Sequence, residues 1–253
     1  MKTRNLSRAR AKGFTLMELL TVISIGCILA MLTVPAVQGL QKGFDFDRSL
    51  SAMVDSFNLA RSYAIAQNTY VYVGLTELDR KQSLSSSPQV KGTGRVALSI
   101  VATRDGTSDI SSGAGANLTQ VRQVQTYEAL HFASGLFTTS QGSGTGAMAR
   151  STALTPVALP LTATGMSKTF SLPLGVSTGA GKYNFIDNTN SAVLCFTPQG
   201  GVLLNGSPVQ LLEIDLQPMA GTVTPSLPAN VNKGNHAALL IDGVTGGVAI
   251  YRP

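Results

Sequence analysis

From Phe14 to Gln41 the chain runs for 28 residues with one charged side chain, Glu18. Its most apolar part, Phe14 to Val34, is 21 residues long. A helix of that length, rising about 1.5 Å per residue, spans about 30 Å, the thickness of a hydrocarbon core. Lys2, Arg4, Arg8, Arg10 and Lys12 stand before this run with no acid among them, whereas Lys42 and Arg48 after it are balanced by Asp45 and Asp47. The asymmetry predicts a transmembrane helix over residues 14–37, with the amino terminus in the cytoplasm and the bulk of the chain outside. A secretory signal fits less well, because the run is too long and no small-x-small cleavage site follows it.

The charge balance bears on partners. The chain carries 19 Lys and Arg against 13 Asp and Glu, a formal net charge of +6, and the five basic residues before Phe14 account for most of that excess. Nucleic-acid binding needs clustered Lys and Arg for phosphate contacts. Beyond residue 13 the only adjacent basic pair is Arg80-Lys81, and the carboxy terminus ends Tyr251-Arg252-Pro253. A DNA-binding receptor is therefore the weaker alternative, alongside a plain membrane-anchored extracytoplasmic binding domain. The hydrophobic fraction of 43% excludes disorder, and 13% charged residues with 26 Gly suit a loop-rich β protein.

Glu18 is the anomaly in the apolar run. A carboxylate inside a membrane segment is expensive, about 2.5–3.5 kcal/mol for an acid at the helix centre and less near an end. It either snorkels to the interface or has a cationic partner. The span offers no Lys or Arg. If the chain were cut before Phe14, the new α-amino group would be the nearest cation, within one chain or between neighbours.

Lys12-Gly13-Phe14-Thr15-Leu16-Met17-Glu18-Leu19-Leu20 resembles the signal of type IV prepilins and type II secretion pseudopilins. The resemblance implies a leader of residues 1–13, cut by a membrane prepilin peptidase between Gly13 and Phe14. It implies N-methylation of Phe14, a role for Glu18 in recruiting the subunit into a filament, and a helix kink at Pro35 near the outer end of the span. It also implies the inner membrane as location and other pilin or pseudopilin subunits as partners.

Beyond Pro35 the pattern turns amphipathic. Leu40, Phe44, Leu50, Val54, Phe57, Ala60 and Ala64 recur at helical spacing, which predicts an amphipathic helix half over residues 38–68 with its apolar stripe under a sheet. Gly39 and Gly43, with Pro35, weaken the middle of that helix. It either unwinds in an assembled filament, as the resemblance implies, or packs tightly against a neighbour.

Residues 69–253 read as a β-rich extracytoplasmic domain of about eight strands, among them Thr69–Leu75, Arg95–Thr103, Thr119–Phe132, Ala192–Thr197, Val209–Leu216 and His236–Asp242. Pro198–Gly201 and Gly243–Gly247 read as hairpin turns. Leu59 to Asn68 with Val71–Val73, Phe196 to Gly201, and Ile241 to Tyr251 resemble H-type minor pseudopilins, the GspH/FimT-like group, or a Verru_Chthon cassette protein D-type relative. The expected fold is α+β: a long amino-terminal helix, membrane half plus amphipathic half, packed on an antiparallel sheet.

Catalytic and metal motifs are weak. Gly175-Val-Ser-Thr-Gly179 matches a nucleophile elbow in letters, but the residues after it read as a turn into a strand where an elbow needs a helix. In Gly179-Ala-Gly-Lys182 the Gly due at 176 is Val and the Ser or Thr due at 183 is Tyr, so the phosphate-loop motif fails. His131 and His236 have no Cys, Asp or Glu at ligand spacing and read as structural or surface residues. Asp187-Asn-Thr-Asn190 offers one carboxylate where Ca²⁺ takes six to eight oxygens, and reads as a polar turn. Cys27 and Cys195 are expected to remain thiols. The expectation is a structural protein with no catalytic residue, metal or cofactor.

Overall fold

The computed structural model describes residues 14–110, 117–128, 130–133, 157–159, 168–177, 179–185, 191–204, 206–219 and 235–252; the side chains of 32–42, 157–159 and 191 lie outside that description. One helix, α1 (Leu16–Gln67), carries the chain from the apolar run into the body. The chain divides into two compact units, Met1–Phe44 and Asp45–Pro253.

In the first unit every described side chain of α1 from Leu16 to Met31 is exposed. Among the described residues no helix is long and apolar enough to cross a membrane.

In the second unit α1 buries Phe46, Leu50, Met53, Phe57, Ala60 and Ala64, each no more than 3% exposed. The spacing alternates between four and three, so these side chains form one stripe. The expected stripe is corrected at its start: Phe44 is 69% exposed and Phe46 takes the core position, with Met53 added. Residues two apart point about 200° away from each other on a helix, so only one Phe of the pair can face the core. Val54 packs at the margin of the core, and Leu40 lies outside the described side chains. The helix ends as a Schellman turn: Asn68 is left-handed at φ 49°, and the Thr69 N–H donates to the Ala64 carbonyl at 3.1 Å.

The strands are β1 (Val71–Asp79), β2 (Gly94–Thr103), β3 (Leu118–Glu128), β4 (Leu130–Phe132), β5 (Val157–Leu159), β6 (Phe170–Leu172), β7 (Tyr183–Phe185), β8 (Ser191–Phe196), β9 (Val202–Leu204), β10 (Ser207–Pro208), β11 (Leu211–Pro218), β12 (Ala237–Asp242) and β13 (Val248–Tyr251). They form a six-stranded sheet, β10-β9-β8-β1-β2-β3, a second sheet β13-β12-β11-β4, and the hairpin β6-β7. The architecture is the expected α+β, with one departure: β5 joins β11 in parallel. The expected run Thr119–Phe132 is two strands, β3 in the first sheet and β4 in the second.

Alternation along the strands builds two cores. Val71, Val73 and Leu75 of β1, with Val96, Leu98 and Ile100 of β2, face the α1 stripe together with Leu212, Ile214 and Leu216 of β11. On the opposite face Tyr72, Val101, Val193 and Cys195 meet Phe170, Leu172 and Phe185 of the β6-β7 hairpin. Gly74 makes that approach possible, since a Cβ there would lie 2.6 Å from the Phe185 ring. The first sheet is thus covered on both faces, which is why β1 and β2 are buried almost from end to end.

Candidate functional site

The amino-terminal turn of α1 has the geometry of a capping box. The Glu18 N–H donates to Thr15 Oγ1 at 3.2 Å. In return Glu18 Oε2 accepts the Thr15 backbone N–H at 2.9 Å and the Thr15 hydroxyl at 3.0 Å. The carboxylate therefore satisfies a helix-end donor that hydrocarbon could not, and it stays at the helix terminus favoured for negative charge. Thr15-x-x-Glu18 is a sequence signature of this arrangement, but the reading of Glu18 from charge alone does not contain it. The flanking apolar residues are open: Phe14 is 80%, Leu16 81% and Met17 70% exposed. Further along, the Thr21 and Ser24 hydroxyls donate to the carbonyls of Glu18 at 2.9 Å and Leu20 at 2.8 Å. Polar side chains in this run are thus satisfied by their own helix.

Gly13 lies outside the described residues. Pro35 lies within α1; it lacks the N–H that would bond the Met31 carbonyl.

Residues 8–34 match the prokaryotic N-terminal methylation motif. The match covers about a tenth of the chain and takes in Gly13, Phe14, the capping box and most of the apolar run. This motif indicates a type IV pilin-like, prepilin-processed protein. It implies cutting by a prepilin peptidase, assembly with other pilins, and a membrane-anchored or filament location. No curated protein and no solved structure matches the chain.

The other sequence candidates stay apart from this turn. Gly175 and Ser177 lie in the connection between β6 and β7, with Gly175 at φ 90° and Gly179 at φ 92°; a strand comes next, as the loop reading requires. The Lys182 ammonium stands 5.4 Å from the Tyr183 ring centroid. Asp187 and Asn190 lie outside the described residues. Among the described residues no group of three or more His, Cys, Asp or Glu could hold a metal ion.

His131 is structural in a way its local sequence does not announce. Its Nδ1–H donates at 2.8 Å to Oε1 of Glu77, whose side chain is 1% exposed. The same oxygen accepts the Gly94 N–H at 2.8 Å. The pair joins β1 of one sheet to β4 of the other across 54 residues of sequence. His236 is buried beside the start of β12. Cys27 is exposed and Cys195 buried, both as thiols. Burial pushes the Cys195 thiol up to about 12, and the Tyr72 hydroxyl beside it is likewise raised, first by burial.

Proposed function

We propose that the chain is a minor pilin or pseudopilin subunit of a type IV pilus-like or type II secretion filament, with a structural and not a catalytic role. The observation that carries this reading is the methylation motif at residues 8–34 joined to an apolar helix. In this reading residues 1–13 are the leader, the Gly13–Phe14 bond is cut by the prepilin peptidase/N-methyltransferase, and Phe14 is N-methylated. The apolar run of residues 14–37, part of which lies outside the described side chains, is the proposed single inner-membrane pass, with the amino terminus cytoplasmic. Residues 38–68 are the amphipathic half of the helix and 69–253 the extracytoplasmic domain. The looser likeness of Leu59–Asn68 and the two late hairpins supports the H-type group.

Glu18 supplies the assembly carboxylate. The cut at Gly13–Phe14 creates an α-amino group four residues before it. In the unassembled subunit the capping box keeps the carboxylate hydrogen-bonded, and a neighbour's terminal amine offers a stronger, charge-assisted partner. Glu18→Ala removes the counter-ion and should leave insertion and leader cleavage intact while blocking recruitment. Glu18→Gln keeps hydrogen bonding without charge and should be partly defective. The assay is crosslinking to a partner pilin from membranes at equal expression. Undiminished capture by Glu18→Ala would leave only a signal anchor.

A further inference from the structure

Helix α1 carries an internal break signal just before the residues that the core holds. Pro35 lacks the N–H of a helix bond, and Gly39 and Gly43 have the lowest helix propensity after proline. Packing does not compensate at the end of this stretch. A Cβ on Gly43 would meet nothing within 4 Å, Phe44 is 69% exposed and Asp45 is exposed. The core takes hold only at Phe46, which is 3% exposed, and next at Leu50. The division of the chain into compact units falls at the same place, between Phe44 and Asp45.

The residues that follow are those of a helix start. Asp is a poor residue inside a helix and among the best at its N-cap, where its side chain accepts an N–H two or three residues on. The Asp45 carbonyl accepts from Ser49 Oγ at 2.8 Å, while among the described residues its carboxylate makes no hydrogen bond or ion pair. That carboxylate is therefore free to turn to the N–H of Asp47 or Arg48. With Asp45 as N-cap, Asp47 falls in the first turn, where negative charge is favoured. Arg252 Nη2 donates to Asp47 Oδ1 at 2.6 Å, and the Arg252 guanidinium stands 5.9 Å from the Phe46 ring centroid. The residue after β13 thus clasps the turn of α1 that the core first holds.

We propose that α1 parts between Gly43 and Asp45, with Asp45 as the N-cap of the length of helix that packs on the sheets and Arg252 as the clasp on its first turn. The arrangement works as a fuse. Unwinding that starts between Pro35 and Gly43 leaves N–H groups without carbonyls at the new helix end. The Asp45 carboxylate accepts there, and Phe46 and Leu50 hold the residues that follow. Changes in the helix ahead of Gly43 therefore stop at Asp45 and leave the sheets undisturbed. The inference does not rest on the filament reading above.

Hydrogen exchange on the detergent-purified full chain, resolved to single amides by mass spectrometry, tests this. The N–H groups of Phe44 to Asp47 should be protected at least about tenfold less than that of Phe57, equivalent to about 1.4 kcal/mol. Gly43→Ala, which the open space around it admits, should close the break and raise that protection about fivefold, equivalent to about 1 kcal/mol. Asp45→Ala should carry the loss of protection past Ser49 to Met53. Asp45→Asn also caps and should keep the limit where it is. Arg252→Gln should lower protection at Ser49 and Leu50 about threefold, the scale of an exposed ion pair. Even protection from Phe44 to Phe57 in the unaltered chain overturns the proposal without recourse to any variant. So does a Gly43→Ala chain that exchanges as before, or an Asp45→Asn chain that behaves as Asp45→Ala. Unchanged exchange at Ser49 and Leu50 in Arg252→Gln overturns the clasp.

Discussion

Replacing Glu77 by Ala should be among the most damaging single changes in the second unit. Its carboxylate continues the core-facing row of β1 and accepts from Gly94 N–H and His131 Nδ1–H, both at 2.8 Å. Removing it leaves a buried backbone N–H without an acceptor, at about 1–3 kcal/mol. The His131 ring loses its partner as well, but its side chain is 15% exposed and water takes over part of that bond. Together the loss should be about 3 kcal/mol, a fall in melting temperature of about 6–12 °C for a domain of this size. His131→Ala leaves the carboxylate one of its two close donors and should cost less, about 1–2 kcal/mol. Thermal melts by near-ultraviolet circular dichroism on the detergent-purified full chain, with both singles and the double, measure this. The double should lose less than the sum of the singles by at least about 0.5 kcal/mol. A Glu77→Ala loss below about 1 kcal/mol, or strictly additive singles, would refute the claim that this pair ties the two sheets.

Burial leads to two further outcomes. The Cys195 thiol is raised to about 12 from an ordinary value near 9. Its contribution to stability is therefore complete below about pH 9 and is lost as pH rises toward 12; Cys195→Ala should flatten the alkaline fall in stability, and the native thiol should resist alkylation at pH 8 while the unfolded one reacts. A chain beginning at Asp45, where the second compact unit starts, should unfold cooperatively and be indifferent to reductant and EDTA; a large loss with EDTA would point to a Ca²⁺ site around Asp187.

The features legible in the sequence are those that repeat. The helix and the longer strands show through their periods because burial imposes the same spacing several times. β5, β7 and β9 have three residues each and β10 two, too few for a period to register. Phe44 and Phe46 compete for one core position two residues apart, and only the packed sheets decide between them. Glu77 and His131 are invisible as a pair because nothing local links them. The capping box is within reach of the sequence, since Thr15-x-x-Glu18 is a local pattern.

We propose above all that the amino terminus is a processed prepilin end. Intact-mass measurement of the membrane-extracted protein tests it most directly. The mass should show loss of Met1–Gly13 and one added methyl group, located on Phe14 by fragmentation. Retention of Met1–Gly13 in cells with an active prepilin peptidase would contradict it.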